Sequence, residues 1–453
     1  MQNFDVIIIG GGISGISAAI ELIKSKKSVC IIEANSKLGG RLNSKVDKNS
    51  NDNIDNGQHV FMGVYYNFFN ILSQIGTHKY LHTHKGLNFQ VKDKNSTYTL
   101  DTTKYFGKFS LLSGILNYNV LNIKEKISII RFLLNIKNNN IDTDNLTCQE
   151  LFAIYHQDRK IAKYLWNPFI EATLNTPPNL ASAKVFTNIL NLIFWKKNNA
   201  SNFIIPTIGL SELIAPAQDF IKNNGGELLL NNTLKEIIYN LSDNNQSENQ
   251  TNDSPIGIKT IKGETIHSKT IIIALPPHKL KNINLNFDKN NPIEKLNRFE
   301  YSPIISAYVW LNKKVLNYPI LQLIDHNIQW IFDKYFYSNQ KATYAEQLLS
   351  ISISANNELF QIGNNELKNI LSEELTQIFP TLANENIIQI KIIKEKKATF
   401  LCSNKIENLR TQLGKNHKEI IFAGDWVENN LPATIEGACI NGINAANLAL
   451  KNL

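Results

Sequence analysis

The feature that most narrows the folds open to this chain is its opening stretch, up to Glu33. Phe4 to Ile9 is a short run rich in β-branched residues, suited to a buried parallel strand, and Gly10-Gly11-Gly12-Ile13-Ser14-Gly15 follows it at once. A helix is predicted from this turn to about Lys24, then a second strand from Ser28 to Ile32, ending at Glu33, 18 residues after Gly15. Gly10 permits the tight turn, Gly12 lets the backbone approach a pyrophosphate, and Gly15 allows close helix packing. Ser14 lies in the first helical turn, where unpaired N–H groups suit phosphate oxygens. Glu33 is placed to accept hydrogen bonds from ribose hydroxyls, and its charge disfavours a 2′-phosphate. A lone glycine fingerprint is a weak signal, whereas strand, turn, helix, strand and acid together predict a dinucleotide site.

Composition bounds the rest. A chain of 453 residues with 43% hydrophobic content can bury a large core and has room for about two to three domain-sized units. No apolar run reaches the roughly 20 residues that span a bilayer, and the N-terminus has neither a basic leader nor a small-residue cleavage site, so a cytoplasmic location is expected. Cys30, Cys148, Cys402 and Cys439 form no C-x-x-C pair, which argues against a disulfide framework or a metal site. The charge of +8 arises from 47 basic and 39 acidic residues spread without a concentrated patch, so weak affinity for a membrane surface is expected and nucleic acid is not. The abundance of Asn, Lys and Ile throughout reads as genomic base bias. Asp47 to Asn53 and Ser242 to Ser254 read as surface loops, the second joining two strands.

Further motifs follow in order: Gly39-Gly40-Arg41, the strand Thr233 to Tyr239 containing Ile237, the strand and turn Thr270 to Pro277 containing Ala274, and Ile420 to Ala423 leading into Gly424-Asp425. Thr434-Ile435-Glu436-Gly437-Ala438 then opens a helix reaching about Leu450. Together these resemble the amine oxidase and phytoene desaturase superfamily, and the resemblance implies FAD, held non-covalently. The fold class it implies is α/β: a discontinuous Rossmann-type FAD-binding domain of the glutathione-reductase-like, amine oxidase type, with an inserted α+β substrate domain. The FAD-binding parts are expected at 1–75, 203–290 and 395–453, and the substrate parts, read as alternating helical and mixed pattern, at 76–202 and 291–394. In this reading Asp425 binds a ribityl hydroxyl, and the N-terminus of the helix at Thr434, Ile435 and Glu436 faces the flavin pyrimidine edge, favouring the reduced anion. Asp425 and Thr434 are equally open to service as helix caps. No second glycine fingerprint appears, so no separate NAD(P)H site is expected.

Within that superfamily, Asp55-Asn56-Gly57-Gln58-His59, Leu165-Trp166-Asn167-Pro168, Ala172 to Pro178, Ala181 to Ala183, Ile205-Pro206, Gly209 to Leu213, Lys397 to Phe400 and Leu431 to Ala438 resemble the hydroxysqualene dehydroxylases. This family resemblance covers nearly the whole chain and is least specific over residues 300 to 390. Lys397 stands where an arginine is expected, and the loop at 242–254 reads as an insertion. The implied reaction is reductive removal of the allylic hydroxyl of hydroxysqualene to give squalene, on a bacterial route from farnesyl diphosphate toward hopanoids, with reduced FAD giving the hydride. An apolar pocket would keep water from an allylic cation. The resemblance places Gly57 and Gln58 beside the flavin and makes His59 a candidate acid, an orienting or structural histidine being the alternative. Asp55 is suited to shaping that loop through backbone amides, and Trp426 either walls the pocket or packs in the core.

Two departures separate the chain from oxygen-dependent amine oxidases: Thr434 occupies their aromatic position before Glu-Gly-Ala, and their lysine falls near Ser306. Cys402 is expected to be a small buried residue and not a covalent flavin anchor. A very apolar substrate implies peripheral contact with the inner face of the cytoplasmic membrane and transient contact with squalene-pathway synthases. Tyr105 to Ile136, with Lys108, Lys124, Lys126, Arg131 and Lys137, reads either as a face dipping into anionic lipid or as a helix pair packed on its own core. Three readings stay open: the dehydroxylase, a carotenoid-type desaturase, and a non-catalytic FAD-holding scaffold.

Overall fold

The computed structural model describes residues 2–84, 86–103, 110–157, 159–196, 199–238, 256–280, 283, 292–337, 345–413 and 419–453. Two large mixed sheets dominate. In the first, Gln2–Ile9 lies between Val29–Ile32 and Thr265–Ile273, parallel to both. Glu227–Leu229 extends it on one side, while Ile420–Phe422 pairs parallel with the end of Thr265–Ile273 and Ile256–Thr260 pairs antiparallel with its start. Val6 to Ile9 and Val29 to Ile32 are all at most 2% exposed. Such continuous burial is what helices on both faces of a parallel sheet require.

Register sets where the ligand edge falls. Ile9 stands opposite both Ile32 and Ile273, and Ile273 opposite Phe422. Four parallel strands therefore end at one level, and Gly10, Glu33, Ala274 and Ala423 begin the loops at the carboxyl edge where open α/β sheets bind ligands. Over one face the helix Ile13–Lys24 packs on Ile435–Asn452, an approach so close that a Cβ at Gly442 would stand 2.2 Å from the Ser14 carbonyl oxygen. The predicted strands at 233–239 and 270–277 are Leu234–Ile238 and Thr265–Ile273, and the predicted final helix is Ile435–Asn452. The 242–254 stretch lies outside the described residues, but the strands flanking it, Leu234–Ile238 and Ile256–Thr260, pair antiparallel.

The second sheet runs in the order Ile387–Phe400, Tyr301–Leu311, Gln347–Ser354, Trp330–Asp333, Ile320–Leu323, Asn88–Lys92, Thr97–Asp101. Cross-strand neighbours point to one face, which puts Ser306, Ser352, Trp330 and Gln322 in a single row. Phe89, Ile320 and Phe332 of this sheet share one hydrophobic core with the helices between residues 110 and 196. Among them, Ala183–Asn191 continues into a π-helical turn, Leu192–Lys196. The 105–136 stretch is two helices, Ser110–Asn117 and Ile123–Lys137, with Tyr105 and Lys108 outside the described residues. The strand Ile387–Phe400 runs through the domain boundary expected at 394.

Candidate functional site

A single cavity of about 1470 Å³ extends from the carboxyl edge of the first sheet to the face of the second. Gly10, Gly12, Ser14, Glu33, Gly39, Gly40, Arg41, Gly57, Gln58, His59, Ala274, Gly424, Asp425, Thr434, Ile435 and Glu436 all line it. Gly15 does not; a Cβ there would sit 2.0 Å from the Gly10 carbonyl oxygen, so its part is the tight return of the helix onto the turn. Ile237 is a correction. Ile237 stays in the core at 2% exposed, while Asn232, Thr233 and Leu234, where the strand begins, line the cavity instead.

The sheet-edge end fits a pyrophosphate and ribose. Among the described residues nothing lies within 4 Å of where a Cβ on Gly12 would be, so its backbone is open to an approaching group. Among the described residues, the helix that Gly12 precedes has no side-chain cap and the buried Ser14 hydroxyl has no hydrogen-bond partner. Uncapped N–H groups beside a free hydroxyl form an anion cradle. One Glu33 oxygen accepts from the Gly11 N–H at 2.8 Å, the other from the backbone and side chain of Asn35 at 2.8 and 2.6 Å. A carboxylate has about four lone-pair sites, and with three taken about one is left for a ribose hydroxyl. Gly39 and Gly40 adopt φ of 125° and 58°, and Arg41 follows them. Its guanidinium, half exposed to the cavity, meets Asp425 at 2.7 Å and donates to the Ala398 carbonyl at 3.1 Å. Asp425 is thus an ion-pair partner and not a helix cap.

Thr434 is a cap: its hydroxyl accepts from the Gly437 N–H at 3.0 Å. Glu436 reaches across to Tyr66–Gln74, accepting from the Asn67 and Phe68 N–H groups at 3.0 Å each. Burial raises its pKa, and these donors work against that. Asp55 accepts from an amide of another segment, the Leu210 N–H at 3.0 Å, and from the Ser44 hydroxyl at 2.6 Å, while Lys334 pairs with it at 3.0 Å. The Asp55–His59 and Gly209–Leu213 motifs are therefore neighbours in space. His59 places Nδ1 2.8 Å from the Gly57 carbonyl, which requires the proton on Nδ1, and burial lowers its pKa below the ordinary histidine value. Ser306 lies beneath this loop, its hydroxyl 3.2 Å from where a Cβ on Gly57 would be. Cys402 is fully buried, and burial pushes its thiol far up.

Sequence reasoning missed Arg410. It is 0% exposed in the helix Asn404–Leu413, pairs with Glu407 at 2.8 Å and donates to the carbonyls of Asp425, Trp426, Val427 and Leu431. One guanidinium thus ties down the loop that presents Asp425. Trp426 serves both roles foreseen for it. It lines the cavity, and it packs on Phe299 and Phe422 while donating to the Leu275 carbonyl at 2.9 Å.

Beyond the nucleotide edge the wall turns apolar, with Phe89, Leu111, Phe169, Phe194, Phe203 and Trp330 facing inward. Ligand pockets usually occupy about 300–1,000 Å³, so this cavity has room for a dinucleotide and a second, apolar guest. Among the described residues no group of three or more His, Cys, Asp or Glu is placed to hold a metal ion.

The family model described as flavin containing amine oxidoreductase matches residues 13–450. The chain belongs to this family. Its cofactor is FAD, and the residues of the sheet-edge cradle are suited to that group. A hydroxysqualene dehydroxylase of Zymomonas mobilis is 26% identical, covering 98% of this chain and 99% of the relative. A zeta-carotene desaturase of Synechocystis sp. is 22% identical over 99% of this chain and 97% of its own. Cyclohexylamine oxidase from Brevibacterium oxydans shares the fold of this flavin oxidoreductase, with a TM-score of 0.72 at 15% identity and 99% coverage of both chains.

Proposed function

We propose that this flavin oxidoreductase reductively removes the allylic hydroxyl of hydroxysqualene to give squalene in a bacterial route toward hopanoids. The observation that carries the reading is the joining of the nucleotide edge to an aromatic and aliphatic chamber in one cavity. Full-length likeness to a hydroxysqualene dehydroxylase supports it. The C–O bond breaks, the hydroxyl takes a proton from the protein and leaves as water, and a hydride closes the carbon centre. Reduced FAD, when bound, supplies that hydride. Gly12, Ser14 and the helix they open would hold the pyrophosphate, Glu33 the ribose, and Asp425, held by Arg41, a ribityl hydroxyl. The apolar chamber excludes water that would otherwise capture the cation. His59 is the proposed acid, acting in the fraction of molecules where its ring is protonated. We place the enzyme at the inner face of the cytoplasmic membrane, in transient contact with the synthases that make its substrate. Among the described residues, no helix is long and apolar enough to cross a membrane.

The test is an anaerobic single turnover: photoreduced enzyme is mixed with hydroxysqualene while flavin absorbance and extracted hydrocarbon are followed. Flavin reoxidation matched by squalene supports the reading. Flavin that stays reduced in folded enzyme overturns it and sends the search to oxidised enzyme with carotenoid precursors, the activity that the likeness to a desaturase favours next.

A further inference from the structure

We infer that the outer face of the helix Ile123–Lys137 docks the enzyme on an anionic lipid bilayer, and that substrate enters the cavity beside it. The docking stands on the surface alone, and the cargo rests on the function proposed above. At about 100° per residue, Ile123, Ile127, Ile130 and Leu134 fall within an arc of about 60°. Their arc is centred about 140° round the helix from that of Ile129, Phe132, Leu133 and Ile136, which fill the core. Ile123 is 65% exposed, Ile127 42% and Leu134 43%, and Leu116 on the neighbouring helix is 48% exposed. A helix that only packs on its own domain needs one apolar face; this one has two.

The charges flank the outer stripe. Lys124 and Arg131 lie on one side and Lys126 and Lys137 on the other, whereas the acid of this helix, Glu125, closes the capping box with Asn122 and faces Lys160 at 3.8 Å. An apolar strip between two cationic rims complements acyl chains beneath anionic headgroups. The stripe also adjoins the cavity wall. Leu111 and Ile115, on the helix that carries Leu116, line the cavity. The Lys137 ammonium sits 4.8 Å above the ring of Trp195, between the lining residues Phe194 and Lys196.

The experiment is flotation of the full chain, loaded with FAD, on phosphatidylcholine vesicles with and without phosphatidylglycerol. Wild type should float with the anionic vesicles. Ile123→Ser/Ile127→Ser/Leu134→Ser, all at exposed positions, should cut partitioning by about tenfold or more. Lys124→Gln/Arg131→Gln should cut it by about fivefold per charge, on anionic vesicles alone. Turnover of hydroxysqualene embedded in vesicles should fall in the triple variant, while turnover from detergent micelles stays at the wild-type rate. Equal flotation of wild type and triple variant overturns the proposal. So does gel filtration showing that the triple variant splits a dimer while flotation is unchanged, since the face would then bind a second copy. Absent turnover by wild type in micelles, with the flotation difference intact, would sink the assigned reaction and leave the docking face standing.

Discussion

A neutral imidazole cannot give up a proton until it has taken one, and burial holds the His59 pKa below its ordinary value. The protonated fraction therefore grows as pH falls through that lowered value, and the rate of the proposed dehydroxylation should climb with it. His59→Gln should be slower by about a hundredfold, with a flat profile over the same window, because general acids contribute about 10²–10⁴. Retention of the wild-type profile in this variant would move the acid elsewhere. Glu171 is the next group to test, since burial pushes its pKa up to about 7 and it adjoins the wall residue Ala172. Arg410 makes a different prediction. Arg410→Met strands Glu407 and four carbonyls, which should cost about 3–5 kcal/mol in a denaturant titration and speed FAD release. A rise in FAD release without a drop in stability would show that the guanidinium only shapes the loop. Nothing near Arg410 in the sequence marks it, because a basic residue in an amphipathic helix reads as a solvated face; the carbonyls that hold it come from residues 15 to 21 positions downstream.

At the scale of elements, the close crossing of Ile13–Lys24 and Ile435–Asn452 is the joint on which the cofactor cradle turns. Gly442→Val would press against the Ser14 carbonyl, a backbone atom that cannot swing aside. Overpacking of this kind costs about 1–3 kcal/mol, so a lower melting temperature and weaker FAD retention should appear together. Loss of stability with FAD affinity unchanged would uncouple the crossing from the cradle. The lining of the sheet-edge cavity was legible in the sequence because each of its parts has a local cause: glycines where the backbone turns or lies open, and an acid at a strand end. Ile237 is the exception, because the strand meets the cavity at its first residues, Asn232 to Leu234, and an apolar strand pattern does not mark which of its ends lies at the ligand edge. The second sheet was harder still. Tyr301–Leu311 is buried along nearly its whole length, and Ile387–Phe400 scatters lysines and a glutamate among its isoleucines, so neither shows the clean alternation that identifies a strand.

For the molecule as a whole, the shape of the chamber should set the size of its guest. Ala172→Trp intrudes on the wall and should raise KM for hydroxysqualene by about tenfold with little change in kcat, as expected when binding shared by ground and transition states is lost. A fall in kcat with KM unchanged would mean that this wall orients the reacting carbon. The first sheet has a further consequence, for the order in which the protein is made. Gln2–Ile9 finds one neighbour in Val29–Ile32, but its other neighbour is Thr265–Ile273, and the helix that follows waits for Ile435–Asn452. At ribosomal speeds of about 5–20 residues per second, the glycine turn emerges tens of seconds before the helix that seats it. During synthesis the nascent chain thus displays its glycine turn before the helix that backs it exists, and the full cavity lining is assembled only once both ends of the fold have met.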